Sequence, residues 1–329
     1  MKTMTLGQRA TRLFLEHNAL VMLLILVVVS SVMSDAFLSG QNITNLLRQL
    51  VPLLLVSIGM LLVILTGGID LSVGSVAAVG GVALVLVLNM LPGGGAGWLV
   101  VSILAAAFAG ALLGAVTGAF VAFFRMAPFV ASLAMMTIAR GIAYMVSNGQ
   151  PQRFERDQPA AQILRDFGAE SFLGIAWPIL FGAVVIIGFM ALMRFTSYGR
   201  LTVATGSNET AVRLAGIAVA RYKLLAYAAC GALSALAGVI VASRSGVATP
   251  GAGVALELDA IAACVIGGAL LSGGKGTVFN TLIGVLVLGL IGNIMNLLSV
   301  PAYPQQVVKG AIIILAVLLQ GVGRRDARV

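Results

Sequence analysis

Charge is what this chain has least of. Only 9% of its 329 residues are Asp, Glu, Lys or Arg, against about 25% in a soluble domain. A water-soluble enzyme, a secreted scaffold and a solvated disordered chain are excluded together, because each needs far more charged or polar surface. Histidine occurs once and cysteine twice. The lone His17 cannot build a metal centre. Cys230 and Cys264, in separate apolar runs, read as small core residues. No compact basic stretch interleaved with aromatics is present to track a phosphate backbone, so no nucleic-acid partner is expected. What is there is apolar: 60% of the residues, with 40 glycines besides. That composition reads as an all-α, polytopic membrane protein surrounded by lipid.

A hydrocarbon layer about 30 Å thick needs roughly 20 apolar helical residues. Ten stretches meet or approach that length: Asn18–Ser34, Gln49–Gly67, Leu71–Met90, Trp98–Phe124, Pro128–Val146, Gly174–Met193, Leu224–Ser243, Ala260–Gly274, Gly276–Leu298 and Tyr303–Val322. The PGGG turn after Leu91, Pro128, and the Pro301/Pro304 pair interrupt otherwise continuous runs. The eighth stretch is short, a candidate to tilt, break or sit partly inside the bundle. The first is too long and uninterrupted for a cleaved signal and reads as a retained anchor. With the N-terminus inside, thirteen of the twenty basic residues but only four of the eleven acids fall on the cytoplasmic side, so the whole net charge of +9 lies inside. The positive-inside rule describes this distribution, which puts both termini in the cytoplasm. The chain is then one transmembrane domain, with a cytoplasmic N-terminus (1–17), an outer loop (147–173), a cytoplasmic loop (194–223) and a cytoplasmic tail (323–329).

Several motifs stand out of this apolar background. In GGIDLSVG, Gly67–Gly74, paired glycines allow a sharp turn. Asp70 with Ser72 can cap the third stretch, or line a polar path for a substrate. ELDAIAACVIGG, Glu257–Gly268, repeats the theme five spans later. An odd offset points the two units in opposite directions through the bilayer, the trace of an inverted repeat of spans two to five and seven to ten. Gly110, Gly114 and Gly118 form a small-residue ridge for helix packing, and Gly284, Gly289 and Gly292 are expected to do the same. SGGKGT, Ser272–Thr277, departs from a phosphate-binding loop, with Ala269 at the first glycine position and Gly276 at the hydroxyl position, and reads as a membrane-edge turn. Arg140, Asn293, Asn296, Gln306 and Lys309 are the polar residues within spans. They suit either hydrogen bonds between helices or a path for a neutral polyhydroxylated ligand. The outer loop could dock an external partner. In the cytoplasmic loop, Asn208 is a good N-cap, Ala211, Leu214 and Ala215 form an apolar stripe, and Gly216 is a stop. An amphipathic helix of this kind wants lipid or a partner's groove.

The cytoplasmic loop and four other stretches resemble the membrane permease of bacterial ribose-type sugar ABC importers. They are GGIDLSVGSV (Gly67–Val76), APFVASLAMMTIARG (Ala127–Gly141), YGRLTVATGSNETAVRLAGI (Tyr198–Ile217), ELDAIAACVIGGALLSGGKGT (Glu257–Thr277) and QQVVKGAIIILAVLL (Gln305–Leu319). The likeness runs from about Ala36 to Gln320. One departure is that Ala211-Val212 follows Thr210 where the family often has paired alanines after the Asn-Glu step. The resemblance implies a permease in the bacterial inner membrane, paired with a second permease chain, identical or different. Cytosolic ABC ATPases would bind ATP and Mg and dock around Thr205, Gly206, Ser207, Asn208, Glu209 and Gly216. A periplasmic sugar-binding protein would deliver a monosaccharide, a pentose, hexose or related polyol. This chain would hold no cofactor and no ATPase site of its own. The expected substrate path is Asp70, Ser72, Asn293, Asn296 and Gln306, with Glu257 and Asp259 near the outer mouth. Importers of nucleosides or amino acids with related architecture are an alternative. A proton-coupled secondary transporter is another, although no span carries an acid at its centre.

Overall fold

Apolar runs that cannot hydrogen-bond to lipid must satisfy their backbone internally, and they do so as helices. The computed structural model describes residues 18–91, 93–155, 157–312 and 314. In chain order the helices are α1 (Asn18–Met33), α2 (Gly40–Leu65), α3 (Val73–Asn89), α4 (Ala96–Ala122), α5 (Pro128–Val146), α6 (Pro159–Ala169), α7 (Trp177–Phe195), α8 (Ser197–Ser207), α9 (Glu209–Leu214), α10 (Val219–Ser245), α11 (Leu256–Ile266) and α12 (Val278–Leu297), followed by α13 at 302–312. Four two-residue strands complete the described chain: β1 (Gln152–Arg153), β2 (Ser171–Phe172), β3 (Ile175–Ala176) and β4 (Val247–Ala248). The N-terminal segment 1–17, the end of the tenth expected stretch and the tail 323–329 lie outside the described residues.

Among the described residues, six helices are long and apolar enough to cross a membrane: α2, α4, α5, α7, α10 and α12. Helices α1 and α3 are apolar but shorter. The eighth expected stretch is not a full crossing. Helix α11 has 11 residues, about half a crossing at 1.5 Å per residue. It stops at Ile266 because Gly268, Gly273 and Gly274 adopt left-handed φ and wind the chain into a turn. Helix α2, by contrast, starts well before the expected Gln49, because Ser39 caps it by accepting from the Asn42 amide at 3.3 Å.

Hydropathy does not decide which helices are central. Helices α2, α7 and α10 are equally apolar, yet α2 is the most buried of the six and α7 the least. Lipid tails are as apolar as leucine, so helices associate where small residues let backbones touch. Helix α10 offers such a surface on several sides. A Cβ on Gly110 of α4 would stand 2.3 Å from the Gly231 carbonyl oxygen, and one on Gly114 would stand 2.2 Å from that of Tyr227. Gly80 of α3 meets Ala235, and Gly59 of α2 meets Cys230. On the other side of the bundle, a Cβ on Gly284 of α12 would lie 1.9 Å from the Ala263 carbonyl oxygen of α11. Gly292 faces open space and Gly289 only the flexible Leu50 side chain, so the expected packing role holds for Gly284 and fails for Gly292. Helices α3 and α4 thus pack on α10, while α11 and α12 pack on α2. Each of the two sets leans on a helix that lies far from it in the sequence.

The loop 147–173 is built rather than open. Strand β1 pairs antiparallel with β4, Gln152 opposite Ala248 and Arg153 opposite Val247. Helix α6 buries Ala160, Ala161 and Leu164 against the bundle. The loop and α4 together close the end of α3: Gln158 Nε2 donates to the Leu88 and Leu91 carbonyls, and Trp98 Nε1 of α4 donates to those of Val87 and Leu88. Since α10 runs from α9 to β4, the α8–α9 loop and the β1–β4 cap mark opposite ends of the molecule.

Close backbone contact sets a testable asymmetry among the glycines. Gly231→Ala places a Cβ 2.1 Å from the Gly110 carbonyl oxygen, and should destabilise the detergent-solubilised chain by about 1–3 kcal/mol. Gly292→Ala should leave the unfolding midpoint at or above the native one.

Candidate functional site

Two regions carry the chain's few polar groups. At one end, Thr196 ends α7 and caps α8 at once: its hydroxyl donates to the Leu192 carbonyl at 2.7 Å and accepts from the Gly199 amide at 3.3 Å. Asn208 performs the same double duty one helix later. It ends α8, and its Oδ1 accepts from the Ala211 amide at 2.9 Å to start α9. Glu209 then holds α9 against the start of α10, with Oε1 2.6 Å from Arg213 Nη2 and Oε2 2.6 Å from Lys223 Nζ. The Lys223 hydrogen bond, with both positive charges, keeps the Glu209 carboxyl below the usual carboxylate range. Gly216, at φ +78°, ends the unit.

Helix α9 lies where the sequence reading put it, between the Asn208 cap and the Gly216 stop. The preceding α8 was not foreseen. Val212 anchors α9, while Ala211, Leu214 and Ala215 face outward, Leu214 being 84% exposed. Thr205 and Gly206 do not share that outer face. Thr205 is buried, and a Cβ on Gly206 would stand 1.9 Å from the Leu65 carbonyl oxygen and 2.6 Å from the Gly274 amide nitrogen. The end of α8 therefore abuts the end of α2 and the glycine turn between α11 and α12, the turn expected of SGGKGT.

The second region holds the residues expected along a path, and the structure divides them. Asp70 and Ser72 are buried. Asp70 Oδ1 accepts from both the Ser72 amide (2.9 Å) and hydroxyl (2.6 Å). Ser72 occupies the N-cap position of α3 without capping it, its backbone already helical at φ −81°, ψ −11° rather than in the extended conformation a cap takes. The expected cap is thus replaced by a closed turn, against which Tyr227 Oη donates to the Ile69 carbonyl at 3.1 Å. Asn293 exchanges two amide hydrogen bonds with Asn42 of α2, at 2.8 and 3.1 Å. Asn296 accepts from Gln305 at 2.8 Å, and Gln306 is exposed nearby.

Glu257 and Asp259 share the first turn of α11, where carboxylates favour the helix dipole. Each meets other elements. Asp259 Oδ2 lies 2.8 Å from Lys309 Nζ on α13. Glu257 reaches over the start of α3, so that a Cβ on Gly74 would stand 2.8 Å from its Oε2. Arg140 of α5 joins this grouping, its Nη1 donating to the Pro250 and Ala252 carbonyls at 2.7 Å each. Arg140 and Lys309 were legible as rare charges inside spans, but not as neighbours of Glu257 and Asp259. Asn42 escaped notice because it precedes the expected start of the second span, although Ser39 was available as a cap signal.

With this geometry in place, the comparisons are consistent with one another. The chain matches the family described as "Branched-chain amino acid transport system / permease component" over residues 42–317. It is 40% identical over 305 residues to the ribose import permease protein RbsC of Escherichia coli (strain K12), covering 93% of each chain. It is 43% identical over 299 residues to RbsC of Bacillus subtilis (strain 168), covering 90% of each. It is 34% identical over 315 residues to the L-arabinose ABC transporter permease protein AraH of Azospirillum brasilense, covering 95% of this chain and 90% of that one. No solved structure matches. A helical membrane bundle with these likenesses over nearly its whole length belongs to this family of transport-system permease components.

Proposed function

We propose that the chain is the membrane permease of an ATP-driven importer of a monosaccharide, a pentose, hexose or related polyol. It would act as a single domain in the bacterial inner membrane, beside a second permease chain. The observation that carries this reading is α9: a helix fixed at both ends, with an apolar face turned out of the bundle. Such a face suits a partner's groove, and the basic excess of the sequence supports placing it in the cytoplasm, with both termini, where an ABC ATPase holding ATP and Mg can reach it. Asn208, Glu209 and Gly216 shape that contact. Thr205, Gly206 and Ser207 would act beneath it, passing its movement to the ends of α2 and α11. At the opposite end, a sugar-binding protein would deliver substrate toward Glu257 and Asp259. The relatives named for ribose and L-arabinose, with a xylose transport permease at 34% identity, favour pentoses. Because Asp70 and Ser72 are buried and Asn293 is bonded across to Asn42 of α2, the reading rests the path mainly on the half-buried Glu257 and Asp259 and the exposed Asn296 and Gln306.

Reconstitution of the chain with its ATPase and binding protein in proteoliposomes tests this directly. ATP-dependent uptake of labelled ribose, arabinose or xylose is expected. Uptake indifferent to ATP but abolished by an uncoupler would replace the reading with a proton-coupled carrier. Leu214→Glu should reduce ATPase co-purification and uptake about tenfold with no loss of thermal stability, because Leu214 is 84% exposed among the described residues. At the path, Asp259→Asn leaves Lys309 without its partner and should lower uptake about tenfold; the swapped pair Asp259→Lys with Lys309→Asp should recover part of it.

The loop also has a defined pH response. Glu209 titrates below its ordinary value in the folded chain, so its hold on α9 is complete above that ordinary value and is lost as pH falls through the lowered one. A spin label on α9 should stay immobile at neutral and mildly acidic pH and gain mobility only in stronger acid. Glu209→Gln should be mobile at neutral pH and insensitive to acid.

A further inference from the structure

The segment between β4 and α11, residues 249–255, has backbone that belongs to neither a helix nor a sheet. It lies against the start of α3, close enough that a Cβ on Gly74 would stand 2.1 Å from the Gly253 carbonyl oxygen. It ends on Ala255 in the left-handed region at φ +64°, after Gly253 at φ +75°. A residue with a side chain keeps such a conformation only where its surroundings enforce it. Irregular backbone at membrane depth is tolerated only when buried in protein or lining a wet cavity.

Local bonds shape the two ends of the segment: the Ala252 amide donates to the Thr249 carbonyl at 3.0 Å, and the first turn of α11 holds the far end, with the Leu256 amide on the Gly253 carbonyl at 3.3 Å and the Leu258 and Asp259 amides on that of Ala255 at 3.1 and 3.2 Å. The outside hold comes from Arg140, whose one nitrogen bonds both the Pro250 and Ala252 carbonyls. Arg140 makes no salt bridge among the described residues, and its hydrogen bonds go to this backbone. On the far flank of α11, Lys309 holds Asp259. The half-crossing segment is thus pinned by cations from α5 and α13.

We propose that Arg140 is a positioning residue that latches the 249–255 segment shut over the start of α3, and that transport requires the latch to open. This deepens the transport reading and rests on it for the second clause. Two charge-assisted hydrogen bonds from one guanidinium nitrogen are strong enough to close the segment. They are few enough to break together when α5 moves relative to α11. The small residues beneath, Ala78 of α3 with Ala139 and Ala143 of α5, pack against Ala252 and contribute no polar bond of their own.

Cysteine labelling reads the latch without substrate or partner. Ala78 is 2% exposed, and the native Cys230 and Cys264 are fully buried, so in Ala78→Cys an impermeant maleimide reports on position 78. In the full chain in membranes, slow labelling is expected with Arg140 present and about tenfold faster labelling with Arg140→Gln, with Arg140→Lys between them. Labelling as slow in Arg140→Gln as in the parent overturns the latch. Should that variant fail to reach the membrane, Gly74→Ala lifts the segment from the other side with Arg140 intact, and must raise labelling likewise or the latch is wrong. In the reconstituted transporter, Arg140→Gln should lower the sugar moved per ATP hydrolysed, whereas a merely structural defect lowers uptake and hydrolysis together. Absence of ATP-dependent uptake by the native chain would remove the transport clause, while the labelling contrast would stand or fall on its own.

Discussion

Two backbones can touch only where no side chain stands between them, and along α10 that condition is met by three neighbours in turn. Helices α2, α3 and α4 each bring a glycine to it, Gly59 against Cys230, Gly80 against Ala235 and Gly110 against Gly231. In lipid there is no gain from hiding one apolar surface against another, so close van der Waals approach has to supply the cohesion. The rest of the architecture follows. Once three helices stand around α10, α11 and α12 are left to α2, and α7 is left largely to lipid.

The same constraint explains where polar chemistry is found. Helix ends and interrupted segments free backbone groups that lipid cannot satisfy, and the scarce polar side chains gather there. Trp98 and Gln158 serve the end of α3, Asn208 joins α8 to α9, and Arg140 serves the carbonyls before α11. A charge or amide in this chain marks a break in a helix more often than it marks a binding surface. Asp70 illustrates the point, its Oδ1 closing the turn before α3 by accepting from the Ser72 amide and hydroxyl.

How much was legible in the sequence follows from what hydropathy measures. It reports cost in lipid, so the crossing helices and their order were readable, and Pro128 marked the start of α5 to the residue. Asn208 and Gly216 were readable because caps and left-handed stops are local chemistry. Hydropathy is blind to depth within a bundle, so nothing distinguished α2 from α7. It is blind also to depth of entry, which is why the eighth stretch was legible as short but could be read equally as tilted, broken or partly inside the bundle. Helix α6 was missed although Pro159 at its first turn and apolar Ala160, Ala161 and Leu164 gave a helical signal. Pairs such as Arg140 with 249–255, or Asp259 with Lys309, join elements far apart in sequence and have no local signature.

The position of α10 in the chain has a consequence for how the protein is made. Its residues, Val219–Ser245, are synthesised well after α2, α3, α4 and α5. Until they emerge, the faces carrying Gly59, Gly80, Gly110 and Gly114 lack α10, and the first half must wait in the bilayer with that groove open, although α3 can already pack on α4 and α5. The β1–β4 pair cannot form until α10 has crossed. Assembly of this bundle is therefore a late, concerted event set by the arrival of one helix, and the nascent first half needs lipid, or an insertion chaperone, to keep its place until then.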